Sequence, residues 1–256
     1  MIFKTEDKLF LELEKLDFSL TTWLKYWYPA ICDFLSISPK SDLNAVKEIN
    51  SLFKINSRNK EKELINQLKG KIAIIVAPGN SLSKEVAKKV RKMLIDNTNA
   101  VLIAVDGATS FLLENGLNPG IIISDLDGCV EDQIKAQKSG SILIVHIHGD
   151  NVDQAKRYLP KITKTGHFLF STQSEELGGF RNFLGFTDGD RAVCFSANYS
   201  IKEVILFGYD FGKEIGKYSK VKTITKEKRT RKFKKFIIAK SVINWCSKVI
   251  KISMQE

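Results

Sequence analysis

Three short segments of this chain carry side chains suited to phosphate and metal chemistry. They read Asp106-Gly107-Ala108, Ser124-Asp125-Leu126-Asp127-Gly128 and His146-Ile147-His148-Gly149-Asp150-Asn151, and each follows an apolar run of strand length. Carboxylates gathered at one place repel each other unless something positive lies between them. A hard divalent ion such as Mg²⁺ takes oxygen ligands and keeps waters and substrate phosphates in its shell. Asp106, Asp125, Asp127 and Asp150 are therefore candidates to converge on a cation. For any single one the alternative is a helix cap or turn former, as Asp150 or Asp153 could be. His146 and His148 lie two apart and would point the same way from an extended strand. Phosphate contact, or orientation of another group, suits them better than a zinc site, because His167 is the only other histidine.

Two glycine-containing segments add to this set. In Ala77-Pro78-Gly79-Asn80-Ser81-Leu82, the backbone N–H groups of Gly79, Asn80 and Ser81 could hold phosphate at the start of a helix. A plain turn capped by Ser81 or Ser83 accounts for the same residues. In Gly185-Phe186-Thr187-Asp188-Gly189-Asp190-Arg191-Ala192, Arg191 could meet a phosphate or pair with Asp188 or Asp190. Gly208-Tyr209-Asp210-Phe211-Gly212 then leads into a basic stretch. Residues 213–235 hold eleven Lys/Arg and two acids, a net of +9 out of +11 for the whole chain. Such a cluster suits a polyphosphate, another anionic partner or a solvated loop. Lysines there, among them Lys232, Lys234 and Lys235, would overhang the same edge as the acids. Acids with Mg²⁺ below and lysines above suit a nucleoside triphosphate in transfer chemistry, where positioning and charge neutralisation supply most of the catalysis.

The elements that must position these residues alternate in type. Apolar runs starting at Ile72, Ala100, Gly120, Ser141, Gly166 and Glu203 read as buried strands. Between them lie helical segments near 83–96, 108–115, 131–137, 152–158 and 191–199. This alternation predicts an α/β fold, Rossmann-like, with a mostly parallel sheet and helices on both faces. In such sheets ligands bind beyond the carboxyl ends of the strands, where these acids fall. Residues 1–69 differ in texture. Leu9, Leu13, Leu16, Leu20 and Leu24 recur at helical spacing, with Pro29 and Pro39 expected to break the pattern. The chain thus divides into a helical N-terminal region, 1–69, and an α/β catalytic domain, 70–256.

Composition excludes several classes. At 256 residues, 43% hydrophobic and 27% charged, the chain has ordinary globular usage. No uncharged run approaches the roughly 18 residues of a membrane span, and the first residues lack the basic-then-apolar pattern of a signal peptide, so none is expected. A cytoplasmic protein with no membrane partner is the expectation. Cys32, Cys129, Cys194 and Cys246 are too far apart for a zinc motif and read as buried free thiols, with a disulfide left open. No stacking pattern or nucleic-acid motif accompanies the basic stretch, so no nucleic-acid partner is expected. A homo-oligomer is compatible with the sequence.

Taken in order, Asp106-Gly-Ala, Asn118-Pro-Gly-Ile-Ile-Ile-Ser-Asp-Leu-Asp-Gly, His146-Ile-His-Gly-Asp-Asn, Gly185-Phe-Thr-Asp-Gly-Asp-Arg-Ala and Gly208-Tyr-Asp-Phe-Gly resemble the archaeal 6-hydroxymethyl-7,8-dihydropterin diphosphokinases. That family is distantly similar to thiamine diphosphokinases. The resemblance spans about residues 71–250 and departs from the family in the first turn, at Ala77, Pro78 and Asn80. It implies Mg²⁺-dependent transfer of diphosphate from ATP, the co-substrate, to the pterin hydroxymethyl group, with release of AMP, in folate-like or methanopterin-type cofactor biosynthesis. Carried onto the motifs, Asp106, Asp125 and Asp127 would be catalytic and hold the metal. Gly79, Asn80, Ser81, His146, His148, Arg191, Lys232 and Lys235 would contact the nucleotide. Asp150, Asn151, Thr187, Asp188 and Asp190 would meet the pterin, with Asp188 or Asp190 receiving its paired N–H groups and Phe186 or Tyr209 facing its ring. Thiamine as acceptor, a non-catalytic glycan-related relative and a nucleic-acid binder are the competing expectations.

Overall fold

The computed structural model describes residues 6–53, 61, 64, 67–212, 216–219 and 226–255. Its centre is one eight-stranded sheet: β1 (Ile72–Val76), β2 (Ala100–Val105), β3 (Ile121–Ser124), β4 (Ile142–His146), β5 (Phe168–Ser171), β6 (Phe180–Arg181), β7 (Glu203–Phe207) and β8 (Lys251–Met254). The order is β6-β5-β4-β3-β2-β1-β7-β8, and every neighbouring pair is parallel. The α/β expectation holds. The chain steps outward from β1 to β6 in one direction, then returns to place β7 on the other side of β1. That reversal opens a crevice beyond the ends of β1 and β7.

Helices flank the sheet: α1 (Glu6–Leu13), α2 (Leu20–Thr22), α3 (Tyr28–Leu35), α4 (Pro39–Phe53), α5 (Lys84–Asp96), α6 (Ala108–Glu114), α7 (Val130–Lys138), α8 (Val152–Ile162), α9 (Asp188–Asn198) and α10 (Lys226–Cys246). Alternate side chains of β1 divide between two cores, as the period of a strand requires. Ile74 and Val76 pack with α4 to α8, whereas Ala73 and Ile75 pack with α1, α3, α9 and α10. The N-terminal helices therefore share a core with the sheet. Trp23 fixes them further, its indole N–H donating to the Gln173 carbonyl beyond β5 at 2.9 Å, and Trp245 of α10 donates to Leu16.

Several boundaries differ from the sequence expectation. Pro29 does not break the helix. A π-helical turn over Trp23–Trp27 runs directly into α3, with Pro29 in its first turn, where the missing N–H is tolerated. Pro39 opens α4 rather than ending a helix. Two strands, β6 and β8, were not expected. β6 is two residues long, and β8 is a half-exposed edge. The basic stretch is helical from Lys226, while 213–215 and 220–225 lie outside the described residues. Cys32, Cys194 and Cys246 are buried as expected, but Cys129 is exposed because it precedes α7 at the rim. Among the described residues no helix is long and apolar enough to cross a membrane.

Candidate active site

The loops after β2 and β3 build an acidic centre. Asp106 directly follows β2, opposite the end of β3, with φ +42°. This left-handed conformation is uncommon outside glycine and characteristic of constrained sites. Its Oδ1 accepts from the Ser124 hydroxyl at 2.8 Å, the Gly128 N–H at 3.1 Å and the Gln133 amide at 3.0 Å. A Cβ on Gly128 would lie 2.7 Å from both Asp106 carboxylate oxygens, so only glycine allows this approach. Asp125 follows β3 directly. Its backbone N–H donates to Asp188 Oδ2 at 3.2 Å, and its side chain accepts from the Asp127 N–H at 3.1 Å.

Asp106, Asp125 and Asp188 each offer a carboxylate oxygen to one point, these atoms lying within 4.8 Å of one another. Burial, then the charge of Asp125, raises the proton affinity of Asp106. Burial, then Asp125 and Asp106, raises that of Asp188 well above the ordinary carboxylate range. A cation between them would remove the repulsion, and an all-oxygen donor set suits a hard divalent ion. The sequence expectation had Asp127 as the third member. In the structure Asp127 stands beside the triad, close enough to act on Asp106, Asp188 and Lys232. Asp188 takes the third place because it begins α9, which packs beneath β1–β3 and aims its positive N-terminus at the acids.

A cavity opens on each side of Asp188. The first, about 220 Å³, lies in the β1/β7 crevice between Pro78–Asn80, Gly208–Gly212, Phe236, Lys232 and Lys235. Backbones approach closely here: a Cβ on Gly79 would fall 2.2 Å from the Gly208 carbonyl oxygen. The second, about 390 Å³, lies between Asp125, Asp127, His146, His148, Gln173, Phe186 and the segment Ser36–Asp42. Thr187, Asp188 and Lys235 line both. Phe186 and Tyr209, the two candidates to face the pterin ring, are divided between the two cavities.

Some expected ligands are instead committed to the fold. Arg191 is fully buried, and its guanidinium donates to the Gly185 and Phe186 carbonyls, each at 2.9 Å. It stabilises the loop before α9 and presents nothing to a phosphate. Asp190 is also fully buried, its carboxylate accepting from the N–H of Phe186 and from the N–H and hydroxyl of Thr187. This is a helix-capping arrangement that commits the carboxylate to its own loop. Asn151 donates at 2.7 Å to the carbonyls of both Asp125 and His146, tying together the ends of β3 and β4. Ser81 donates its N–H and hydroxyl to the Asp210 carboxylate, and Ser83 caps α5. An internal carboxylate thus occupies the anion position expected at Ser81, while Gly79 and Asn80 line the first cavity. Asp150 is exposed at the mouth, 3.7 Å from Arg231. Lys234 donates to the Phe34 carbonyl, away from both cavities.

His146 and His148 face the same side, their rings 5.7 Å apart, with His148 Nε2 3.5 Å from Asp125 Oδ2. Burial, then Arg191 and His148, holds His146 well below the ordinary imidazole range, so it is neutral. Residues not anticipated are Ser38, Ser41, Asp42 and Gln173. Gln173 lies two residues beyond the end of β5, and extending the strand-end rule to that strand would have found it. Asp42 carried no such signal, since an acid in the first turn of a helix is ordinary.

Residues 45–216 match the family described as 6-hydroxymethylpterin diphosphokinase MptE-like. The chain belongs to this family. Proteins named 6-hydroxymethyl-7,8-dihydropterin pyrophosphokinase from three archaea are similar to it. The one from Methanocaldococcus jannaschii is 32% identical over 90% of this chain and 98% of its own length. The one from Methanothermobacter thermautotrophicus is 33% identical over 77% of this chain and 81% of its own. The Pyrococcus furiosus protein is 33% identical over 77% and 80%. The motif resemblance to the pterin diphosphokinases is thereby borne out. Ser36–Asp42 and the lysines of α10 lie outside the family-matched residues, yet they complete the two cavities.

Proposed function

We propose that the protein transfers the diphosphoryl group of ATP to the hydroxymethyl oxygen of 6-hydroxymethyl-7,8-dihydropterin, releasing AMP, with Mg²⁺ held by Asp106, Asp125 and Asp188. One observation carries this reading: three carboxylates from separate parts of the chain close on one point between two cavities. A two-substrate transfer needs a charged centre with a separate seat on either side. The names of the archaeal relatives supply the acceptor.

In this reading the nucleotide takes the β1/β7 crevice, where Lys232 and Lys235 supply positive charge. The acceptor hydroxyl oxygen attacks the β-phosphorus and gives up its proton to solvent, the bond from that phosphorus to the α,β-bridging oxygen breaks, and AMP leaves with the bridging oxygen. When bound, Mg²⁺ neutralises charge on the β- and γ-phosphates. Asp106 is oriented by three donors on one oxygen. Asp188 and Lys235, common to both cavities, stand where the group passes from one to the other. The reaction is placed in the cytoplasm, where ATP is available.

Product analysis tests this. Incubation with ATP, Mg²⁺ and the hydroxymethyl dihydropterin should yield AMP and a pterin diphosphate in equal amounts. Formation of ADP would contradict diphosphoryl transfer, and turnover with thiamine alone would reassign the acceptor.

A further inference from the structure

The second cavity holds a feature that chemistry at the carboxylates does not use. His146 is 2% exposed, and its Nδ1 is engaged with the Ser171 hydroxyl at 3.1 Å. Its Nε2 is buried without a hydrogen-bond partner, and the residue lines the second cavity. Buried polar atoms are rarely left so. Beside His146 the Gln173 amide nitrogen donates to Asp42 Oδ2 at 2.6 Å, and Asp42 also accepts from the Tyr28 hydroxyl and the Gly149 N–H.

The surroundings favour a neutral, polar, flat ligand over a phosphate at this nitrogen. The imidazole is uncharged where it stands and can donate or accept at Nε2 according to tautomer. Phe186 contributes an aromatic wall. Ser38, in the turn before α4, and Ser41, within that helix, add neutral hydroxyls to the lining beside Asp42. A cavity of about 390 Å³ is of ligand size.

We propose that this chamber receives the ring of the pterin acceptor, with His146 Nε2 bonding to a polar edge atom of the ring and the Ser38–Ser41 rim limiting which acceptor fits. The proposal rests on the diphosphoryl-transfer reading. It assigns the N-terminal helices to the acceptor site and makes His146 a substrate-binding residue, not a nucleotide ligand.

The test pairs calorimetric binding of 6-hydroxymethylpterin, without nucleotide, with separate KM values for pterin and ATP. Ser38→Leu and His146→Ala should each weaken pterin binding at least tenfold and leave the ATP KM within twofold. His146→Gln, which restores a polar group, should recover part of the loss. Thermal unfolding verifies that each variant folds, and Ser41→Leu probes the same rim should Ser38→Leu fail to fold. Unchanged pterin affinity in folded variants, or an equal loss for ATP, would overturn the assignment while leaving the diphosphokinase reading intact. A wild-type protein that transfers nothing to the pterin would overturn the activity, and the acceptor chamber with it.

Discussion

Asp188 Oδ2 accepts a hydrogen bond from the backbone N–H of Asp125 at 3.2 Å, across 63 positions of sequence. The contact draws two acids together at the ends of different elements, against their mutual repulsion. Burial and the neighbouring charges push the Asp188 carboxyl up, and the fold bears that cost in the metal-free state. Buried like charges held together are a mark of functional sites.

Asp188→Asn removes one of the repelling charges. The metal-free variant should melt at the same temperature as the parent or higher. Turnover should fall on the order of 10²-fold or more, the loss typical when a preorganised electrostatic group is removed. Differential scanning fluorimetry alongside a nucleotide-product assay checks both parts. A destabilised but active variant would contradict the proposed role.

Lys232 and Lys235 line the β1/β7 crevice, whereas Lys234 donates to the Phe34 carbonyl. Lys232→Ala and Lys235→Ala should each raise the ATP KM about tenfold, corresponding to about 1.4 kcal/mol. Lys234→Ala should leave it within twofold. Steady-state kinetics with varied ATP resolves the three, and equal effects from all would mean that the helix acts only through overall charge.

Much of this arrangement was legible in the sequence because strand ends are marked by composition. The runs starting at Ile72, Ala100, Gly120 and Ser141 are apolar on both faces, and polar residues begin where they stop. The same rule located Asp106 and Asp125. Its motif places Asp188 with the substrate, because sequence spacing does not reveal that α9 packs beneath β1–β3. Arg191 and Asp190 looked like ligands because burial is invisible in a polar motif; their bonds to Gly185, Phe186 and Thr187 are local contacts that hold the loop. Helix α10 was hidden by its basic first half, and its apolar anchor emerges only at Ile238, Val242, Ile243 and Trp245. The wall from Ser36–Asp42 had no motif at all.

Arg191→Met should destabilise the protein by about 3–5 kcal/mol, since it leaves buried partners uncompensated. Two carbonyls lose their donor, and Asp188 Oδ1 loses a charge 3.9 Å away. Arg191→Lys should not restore stability, because an ammonium cannot reach both carbonyls with a fixed fork. Urea unfolding at neutral pH measures both. A Met variant as stable as the parent would refute the structural role.

His146 supplies a pH-dependent prediction. Its folded-state proton affinity is held below that of the unfolded chain, near 6.5. As pH falls through that value the unfolded state takes up a proton that the folded state refuses, so stability falls. His146→Gln has no such proton. The stability of this variant relative to the parent should therefore improve steadily below about pH 6.5 and be constant above pH 8. Melting curves of both proteins from pH 5 to 8.5 would show a widening difference at the acid end, and parallel curves would refute the buried, neutral state.

The most direct measurement is Mn²⁺ binding followed by electron paramagnetic resonance, with Mn²⁺ standing in for Mg²⁺ beside a non-hydrolysable ATP analogue. The wild type should immobilise the ion, and Asp106→Asn, Asp125→Asn and Asp188→Asn should each weaken that binding at least tenfold while remaining folded. Retention of the bound signal in all three folded variants would contradict a cation seat formed by these carboxylates.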